Sequence, residues 1–381
     1  MTKQTLCFTL LASGAALCAS SAAIPSRDFG RLSDGTPTRL YVLQGADGLR
    51  LDVSDYGGRV VRVYAPDRHG NLTDVAMDWN TAAEYEANGF CAGTLIGRYG
   101  NRIRDGRFAL DGRTVQLPVN ETRPAPRHGN LHGGPKGWDT KVWAARPFRD
   151  GRTPGIELTL VSPDGDMGFP GTVTCKVTYR VLPGNTWRVD YEATTDKPTV
   201  INPTHHSYWN LAGEASGDVL GQELRIFADS YTPTDAGLIP TGVAPVAGTG
   251  FDFTVLRPIG THADWMARQA DLRCTGNWYD HNFVLRGKPG ELRPAATMRD
   301  PRSGRQLEVW TTEPCLQVYG AQDLKGTLPT KAAGGTLPRC AALALETQHA
   351  PDSPNRPDWP TTVLRPGETF RSTTEYRFSA K

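Results

Sequence analysis

Sustained helical periodicity is hard to find in this sequence, which points away from a helical fold. No basic block or arginine-rich stripe occurs. The 42 Lys and Arg residues are interspersed among 40 Asp and Glu, for a net charge of +2, so no nucleic-acid partner is expected. No CxxC pair occurs, and with it goes the usual cysteine framework of a zinc site. No linker-like or low-complexity stretch divides the chain after its first residues, so residues 24–381 are read as one large domain. Beyond the N-terminus, no apolar run could span a bilayer.

That N-terminus, MTKQTLCFTLLASGAALCASSAA, has the three parts of a secretory signal. Lys3 supplies a positive start, Leu6–Leu17 an apolar centre, and Ser21–Ala23 a small-residue cleavage site. The apolar centre is short for a membrane anchor, and Ser and Gly dilute it. The expectation is cleavage near Ala23, residues 1–23 being the signal peptide, and export, most plausibly to a bacterial periplasm, with no stable membrane insertion afterwards. Seven cysteines then fall to five: Cys91, Cys175, Cys274, Cys315 and Cys340. Export permits disulfides. An odd count leaves at least one thiol unpaired, and small buried apolar residues are the plainer reading of most of them.

What fills the chain is short runs rich in Val, Thr, Tyr, Leu and Trp, set between Gly, Pro, Asn and Asp. Val60–Tyr64, Val173–Leu182, Trp187–Thr194, Gln306–Thr312 and Ala341–Glu346 are examples. Glycine and proline, 41 and 29 residues, exceed a sixth of the chain, as many turns require. The pattern predicts an all-β fold, a sandwich or barrel. Trp79–Ala87 and Thr261–Gln269 are the best short helices, and Asn120–Trp138, Thr232–Gly250 and His349–Pro360 read as long loops.

Several segments carry residues capable of chemistry. In INPTHHSYWNL, strand alternation places Thr204, His206, Tyr208 and Asn210 on one face and His205, Ser207 and Trp209 on the other. Alternation separates the two histidines but does not choose between them, and a core histidine satisfied by hydrogen bonds is the plain alternative. In CAALALETQHAPDSPNRPDWP, an apolar strand ends in the carboxylate of Glu346. Burial there raises a carboxyl pKa towards that of a general base, whereas an exposed strand end leaves it in water. Pro351, Pro354, Pro357 and Pro360 recur at the polyproline II period, predicting one shared face on a stiff loop. In RHGNLHGGPKGW, His128 and His132 stand four apart, but the glycines around them make a helical metal site improbable. Gly133 and Gly134 instead suit His132 to a ligand contact. Asn101 and Arg102 in GRYGNRI offer donors and acceptors for a polyhydroxylated ligand. Asp280 in WYDHNFVL and Gln317 in TTEPCLQVY are not conspicuous alone.

Taken together, these segments resemble the aldose 1-epimerase family, the galactose mutarotases. From about Thr38 to Phe378 the family-like pieces run in order: YGGRVVRVYAPDRHGNLTDV, GRYGNRI, LHGGPKGWDTKVW, DGDMGFPGTVTCKVTY, NPTHHSYWNL, LIPTG, DHNFVL, TTEPCLQVY and ALETQHAPDSPN. The resemblance implies a large antiparallel β-sandwich with a sugar in a groove on one sheet. It selects His206 as the catalytic histidine, implies Glu346 as general base and His132 as a second active-site histidine, and assigns Asn101, Arg102, Asp280 and Gln317 to sugar hydroxyls. No metal or organic cofactor is expected. The implied reaction interconverts α and β anomers of free aldohexoses such as galactose and glucose by acid–base ring opening and closure. The implied ligand is a free monosaccharide, bound by a monomer or homodimer. With Glu346 ionised and His206 protonated, the acid limb of a pH profile would report the carboxylate. The alkaline limb would report an imidazole raised by nearby carboxylates.

The sequence departs from the family pattern at Trp209, in GAQDLKGT after Tyr319, and in a slightly long stretch between Asn120 and His132; the last two bear on sugar preference. Three rival functions fit the residues less well. A non-catalytic sugar-binding protein on the same fold would not need both Glu346 and His206. A glycoside hydrolase would pair Asp280 with Glu346 and leave His206 idle. A hexose-phosphate epimerase would need a cationic pocket, and none is evident.

Overall fold

The computed structural model describes residues 23–122 and 128–381. The signal-peptide reading falls on residues 1–23, of which all but Ala23 lie outside the described residues.

Strands dominate, and the hydrogen-bonded strand pairs within the sheets are antiparallel. The largest sheet has nine strands, in the order Ala144–Asp150, Thr153–Ser162, Val173–Leu182, Thr186–Thr195, Phe370–Ala380, Arg305–Thr311, Arg293–Arg299, Glu223–Ile226 and Arg257–Pro258. The strand Phe370–Ala380, which follows all the others in sequence, therefore sits in the middle. A six-stranded sheet runs Tyr208–Trp209, Leu343–Gln348, Cys315–Tyr319, Asp280–Leu285, Ala228–Thr232 and Ala244–Pro245. A five-stranded sheet is formed by residues of Ser26–Asp74 in simple meander order.

The principal core joins these sheets. Val177, Trp187, Val189, Leu307 and Tyr376 of the large sheet share one cluster with Leu316, Val318, Leu345 and Phe283 of the six-stranded sheet and with Leu43, Leu51 and Val53 of the meander. Two-residue alternation then decides what the six-stranded sheet shows on each side. Phe283, Leu316 and Thr347 lie side by side in register on the core face. One residue along, Asn282, Gln317 and Glu346 lie side by side on the other face. The pattern that makes a strand bury one side thus builds a polar row on the reverse.

Both expected helices form, shifted and short. Thr81 caps the helix Ala82–Asn88 through a reciprocal pair of bonds with Glu84, so Trp79 and Asn80 stay outside it. The second helix is Ala263–Arg268, entered through a 3₁₀ turn. The expected proline face does not form. Asp352 is left-handed (φ 61°) and Ser353–Asn355 is a 3₁₀ turn, which breaks the extended path that polyproline II requires. All five cysteines of the described residues are free. Among the described residues, no helix is long and apolar enough to cross a membrane.

Candidate active site

The polar row on the six-stranded sheet lies at the base of a cavity of about 200 Å³. Asn101, Arg102, His132, His206, Asp280 and Glu346 line it. Six of the seven candidate residues converge there from five separate stretches of chain. Gln317 is the exception. It lies one layer behind, between Glu346 and Asn282 in register, and its Nε2 donates to Asp280 Oδ1 at 2.7 Å. It positions Asp280 rather than lining the cavity. A larger cavity, about 560 Å³, holds the ion pair of His349 and Glu313 and none of the seven. Volume is the weaker guide here, because it is the smaller cavity that gathers titratable groups with unspent hydrogen-bonding capacity. Glu346 Oε2, His206 Nδ1 and, just behind, Gln317 Oε1 have no hydrogen-bond partner among the described residues.

The segment around the two histidines is two short strands, Thr204–His205 and Tyr208–Trp209, broken at His206 and Ser207. Alternation still sorts the side chains. His205 turns into the core, edge-on to Trp187 with ring centroids 4.8 Å apart, and its Nδ1 pairs with Ser207 Oγ at 3.0 Å. Burial lowers its pKa to about 3, so it stays neutral. His206 turns into the cavity. Its ring stacks on Tyr208 at 4.8 Å and meets His132 edge-on at 5.3 Å. The backbone of Gly93–Thr94 clamps it on both sides. Its Nε2 stands 3.4 Å from Glu346 Oε1.

His132 owes its position to glycine. Gly133 takes φ +83°, and a Cβ there would lie 2.2 Å from the carbonyl oxygen of Gly97. His132 itself is left-handed (φ 53°), a conformation uncommon for a residue with a side chain. The adjoining strand Gly129–Leu131 pairs with Arg102–Arg104, which sets His132 against Asn101. The backbone N–H of Asn101 donates to His132 Nδ1 at 3.2 Å, so the neutral ring carries its proton on Nε2. Burial, with His206 and Arg102 nearby, lowers the His132 pKa well below the imidazole range. His128 faces outward and pairs with Asp105 at 3.1 Å, so the two histidines share no site.

Arg102 is gripped by carboxylates. Its Nε and Nη2 donate to Glu121 at 2.7 and 2.8 Å, and Asp280 lies 3.4 Å away. Burial opposes its charge, but Asp280 and Glu121 outweigh that and raise its pKa. Neighbouring Arg98, by contrast, is structural. It donates to Ser162, Pro170 and Gly171, tying the GRYGNRI loop to the DGDMGFPG turn.

Two electrostatic results matter for chemistry. Burial raises Glu346 to about 8; Asp280 adds to the rise and Arg102 opposes it. The direction agrees with the sequence reading. Burial lowers His206 to about 4, and Asp280 only partly offsets this. That reverses the expectation of a raised imidazole: desolvation of the ring outweighs the nearby carboxylates. The two shifts have one cause, since a buried pair avoids charge on either member. At neutral pH the pair holds one proton, resting on Glu346. Ring nitrogens of His132 and His206 and an oxygen of Glu346 also lie within 4.8 Å of one another, a donor set able to hold a metal ion.

Sequence reasoning missed Glu121, Tyr319 and Asp323. Tyr319 follows Gln317 by two on one strand, so alternation held the signal. Glu121 sits in an unpatterned loop and carried none.

Comparisons with known proteins bear on family and fold. The family model for aldose 1-epimerase matches residues 39–377. The chain is 38% identical over 352 residues to a Mus musculus galactose mutarotase, covering 92% of this chain and 97% of that protein. It is 38% identical over 353 residues to an Escherichia coli aldose 1-epimerase, covering 91% and 97%. In structure it is similar to galactose 1-epimerase from Lactobacillus acidophilus, with a TM-score of 0.78 and 26% identity over 94% of this chain and 99% of that one. A match running nearly end to end, over an antiparallel sandwich whose polar row meets a histidine, places the chain in the aldose 1-epimerase family.

Proposed function

We propose that this protein interconverts the α and β anomers of free aldohexoses such as galactose and glucose, with Glu346 and His206 as the proton-transfer pair. The observation that carries the reading is the 3.4 Å approach of His206 Nε2 to Glu346 Oε1 at the base of a polar cavity. A single proton moves between them. With it on His206, Glu346 takes the proton of the C1 hydroxyl as His206 delivers one to the ring oxygen. The C1–O5 bond breaks and gives the open-chain aldehyde. Rotation about C1–C2 presents the other carbonyl face, and closure reverses both transfers. Neither a free alkoxide nor a free oxocarbenium forms. Each well-placed acid or base contributes about 10²–10⁴-fold.

The other residues hold the sugar. His132 offers its Nε2–H, Arg102 its guanidinium, Asn101 its amide and Asp280 its carboxylate, with Gln317 fixing Asp280. Asp280 is poorly suited to be the second carboxyl of a hydrolase. Gln317 at 2.7 Å and Arg102 at 3.4 Å already engage it, which suits it to holding a sugar hydroxyl rather than to delivering a proton to a leaving group. Polarimetry of freshly dissolved α-galactose and α-glucose with purified protein tests the reaction; rates equal to the spontaneous ones would end the proposal.

We also propose that residues 1–23 direct export, most plausibly to a bacterial periplasm, and that the mature protein works as a monomer or homodimer. The tripartite N-terminus supports export. Intact mass of the exported protein and sedimentation of the purified one test these statements.

A further inference from the structure

The epimerase reading leaves one acidic group in the cavity without a task. Asp323 lines the cavity with its carboxylate exposed, accepting a hydrogen bond from the Tyr319 hydroxyl at 3.0 Å. Tyr319 lies opposite Asp280 in strand register and edge-on to Tyr208, so Asp323 carries the acidic side of the cavity from its base to its rim. It belongs to GAQDLKGT, the segment that departs from the family pattern.

The charges around the cavity are lopsided. Glu121, Asp280 and Asp323 line it beside the protonated Glu346, against Arg102 as the one Lys or Arg among the described lining residues. Arg102 is already engaged by Glu121 and Asp280, so it has little left for an anion. His206 is buried and His132 half-buried, and both are shifted towards neutrality, so neither replaces it. Among the described residues, a phosphate or carboxylate on the sugar would lose its water and find no unengaged cation in exchange. An ammonium group would find Asp323. The sugar itself must enter, because Glu346 is 2% exposed and has an unpartnered oxygen at the base.

We propose that the cavity selects its sugar by charge: it accepts protonated amino sugars alongside neutral aldoses and excludes sugar phosphates and uronic acids, with Asp323 as the specificity-determining carboxylate at the rim. This deepens the epimerase reading and rests on it. The amine takes no part in ring opening, so the effect falls on KM rather than kcat.

The test compares kcat/KM for galactose, galactosamine hydrochloride, galacturonic acid and galactose 6-phosphate by polarimetry, at a pH where the amine is protonated. Calorimetry of the same four sugars reads binding without turnover. Galactosamine should match or exceed galactose, and the two anions should fall far below. An exposed ion pair is weak, so Asp323→Asn should lower the galactosamine-to-galactose ratio about three- to fivefold. Raising salt to about 1 M should lower the same ratio in the unaltered protein, since screening then acts within about 3 Å. The ratio is the readout, so a general loss of activity in the variant does not disturb it, and the salt series stands even if the variant fails to fold. A ratio insensitive to both Asp323→Asn and salt overturns the proposal, as does galactose 6-phosphate handled as well as galactose. Absence of turnover with galactose itself would instead remove the epimerase reading, while calorimetry would still decide charge selection.

Discussion

The inverted order of the two pKa values makes a specific forecast for the pH profile and for Asp280→Asn. The pair holds one proton between about 4, set by His206, and about 8, set by Glu346. Below that window both groups are protonated and no base remains. Above it the pair is empty and no acid remains. Activity should therefore form a bell in which the acid limb belongs mainly to the imidazole and the alkaline limb to the carboxyl, the macroscopic values belonging to the pair. The active arrangement needs the proton on His206. Moving it there from Glu346 costs about 5 kcal/mol, as the distance between about 8 and about 4 implies. At 3.4 Å the resulting ion pair recovers about 5 kcal/mol at an effective dielectric of about 20. The transfer is thus close to balanced, and the resting protonation does not forbid the chemistry. Asp280 raises both pKa values, because its negative charge opposes ionisation of Glu346 and favours that of His206. Asp280→Asn should weaken sugar binding and slide the whole bell to lower pH, each limb by about one unit. The assay is kcat/KM for α-galactose by polarimetry across pH, corrected for spontaneous mutarotation. An alkaline limb near the ordinary imidazole value of about 6.5 would refute the reversed assignment, as would limbs that move apart in the variant.

Other expectations follow from the same coordinates. Glu346→Gln should lower kcat by about 10²–10⁴-fold and yet stabilise the fold at alkaline pH. A folded pKa raised to about 8 gives stability that is full below the unfolded value near 4.3 and lost as pH rises through 8; the amide removes that loss, and urea unfolding at several pH values would show a flatter dependence. His205→Asn should keep polarimetric activity while lowering stability by about 1–3 kcal/mol, since it removes a ring packed on Trp187, whereas His206→Asn should do the reverse. Arg102→Ala should destabilise by about 3–5 kcal/mol, because it removes the cation paired with the buried carboxylates of Glu121 and Asp280; unchanged urea unfolding would show that the pairs carry no weight.

The sequence made the β architecture legible because alternation and turn residues are local signals. The same rule separated His205 from His206, and it survived a break in the strand between them. Choosing His206 required the family resemblance, since the partner that claims His205, Trp187, lies on a distant strand of the other sheet. The low pKa of His206 was not legible for a related reason. Nearby carboxylates can be guessed from a motif, but the depth of burial that outweighs them depends on how whole sheets stack. The family resemblance assigns Gln317 to the sugar, and only the folded chain shows its amide bonded to Asp280 behind the cavity wall. The proline period misled because it took no account of Asp352, whose left-handed turn redirects the chain.

The place of the strand Phe370–Ala380 has a consequence for how the molecule comes into being. It completes the largest sheet by joining Thr186–Thr195 on one side to Arg305–Thr311 on the other, about half the sequence after the first of these begins. Until that strand emerges, each half-sheet presents an open edge able to pair with another molecule. Folding should therefore be slow and governed by long-range closure. The nascent chain should be most prone to aggregation just before its final strand arrives, and chaperone demand should concentrate there.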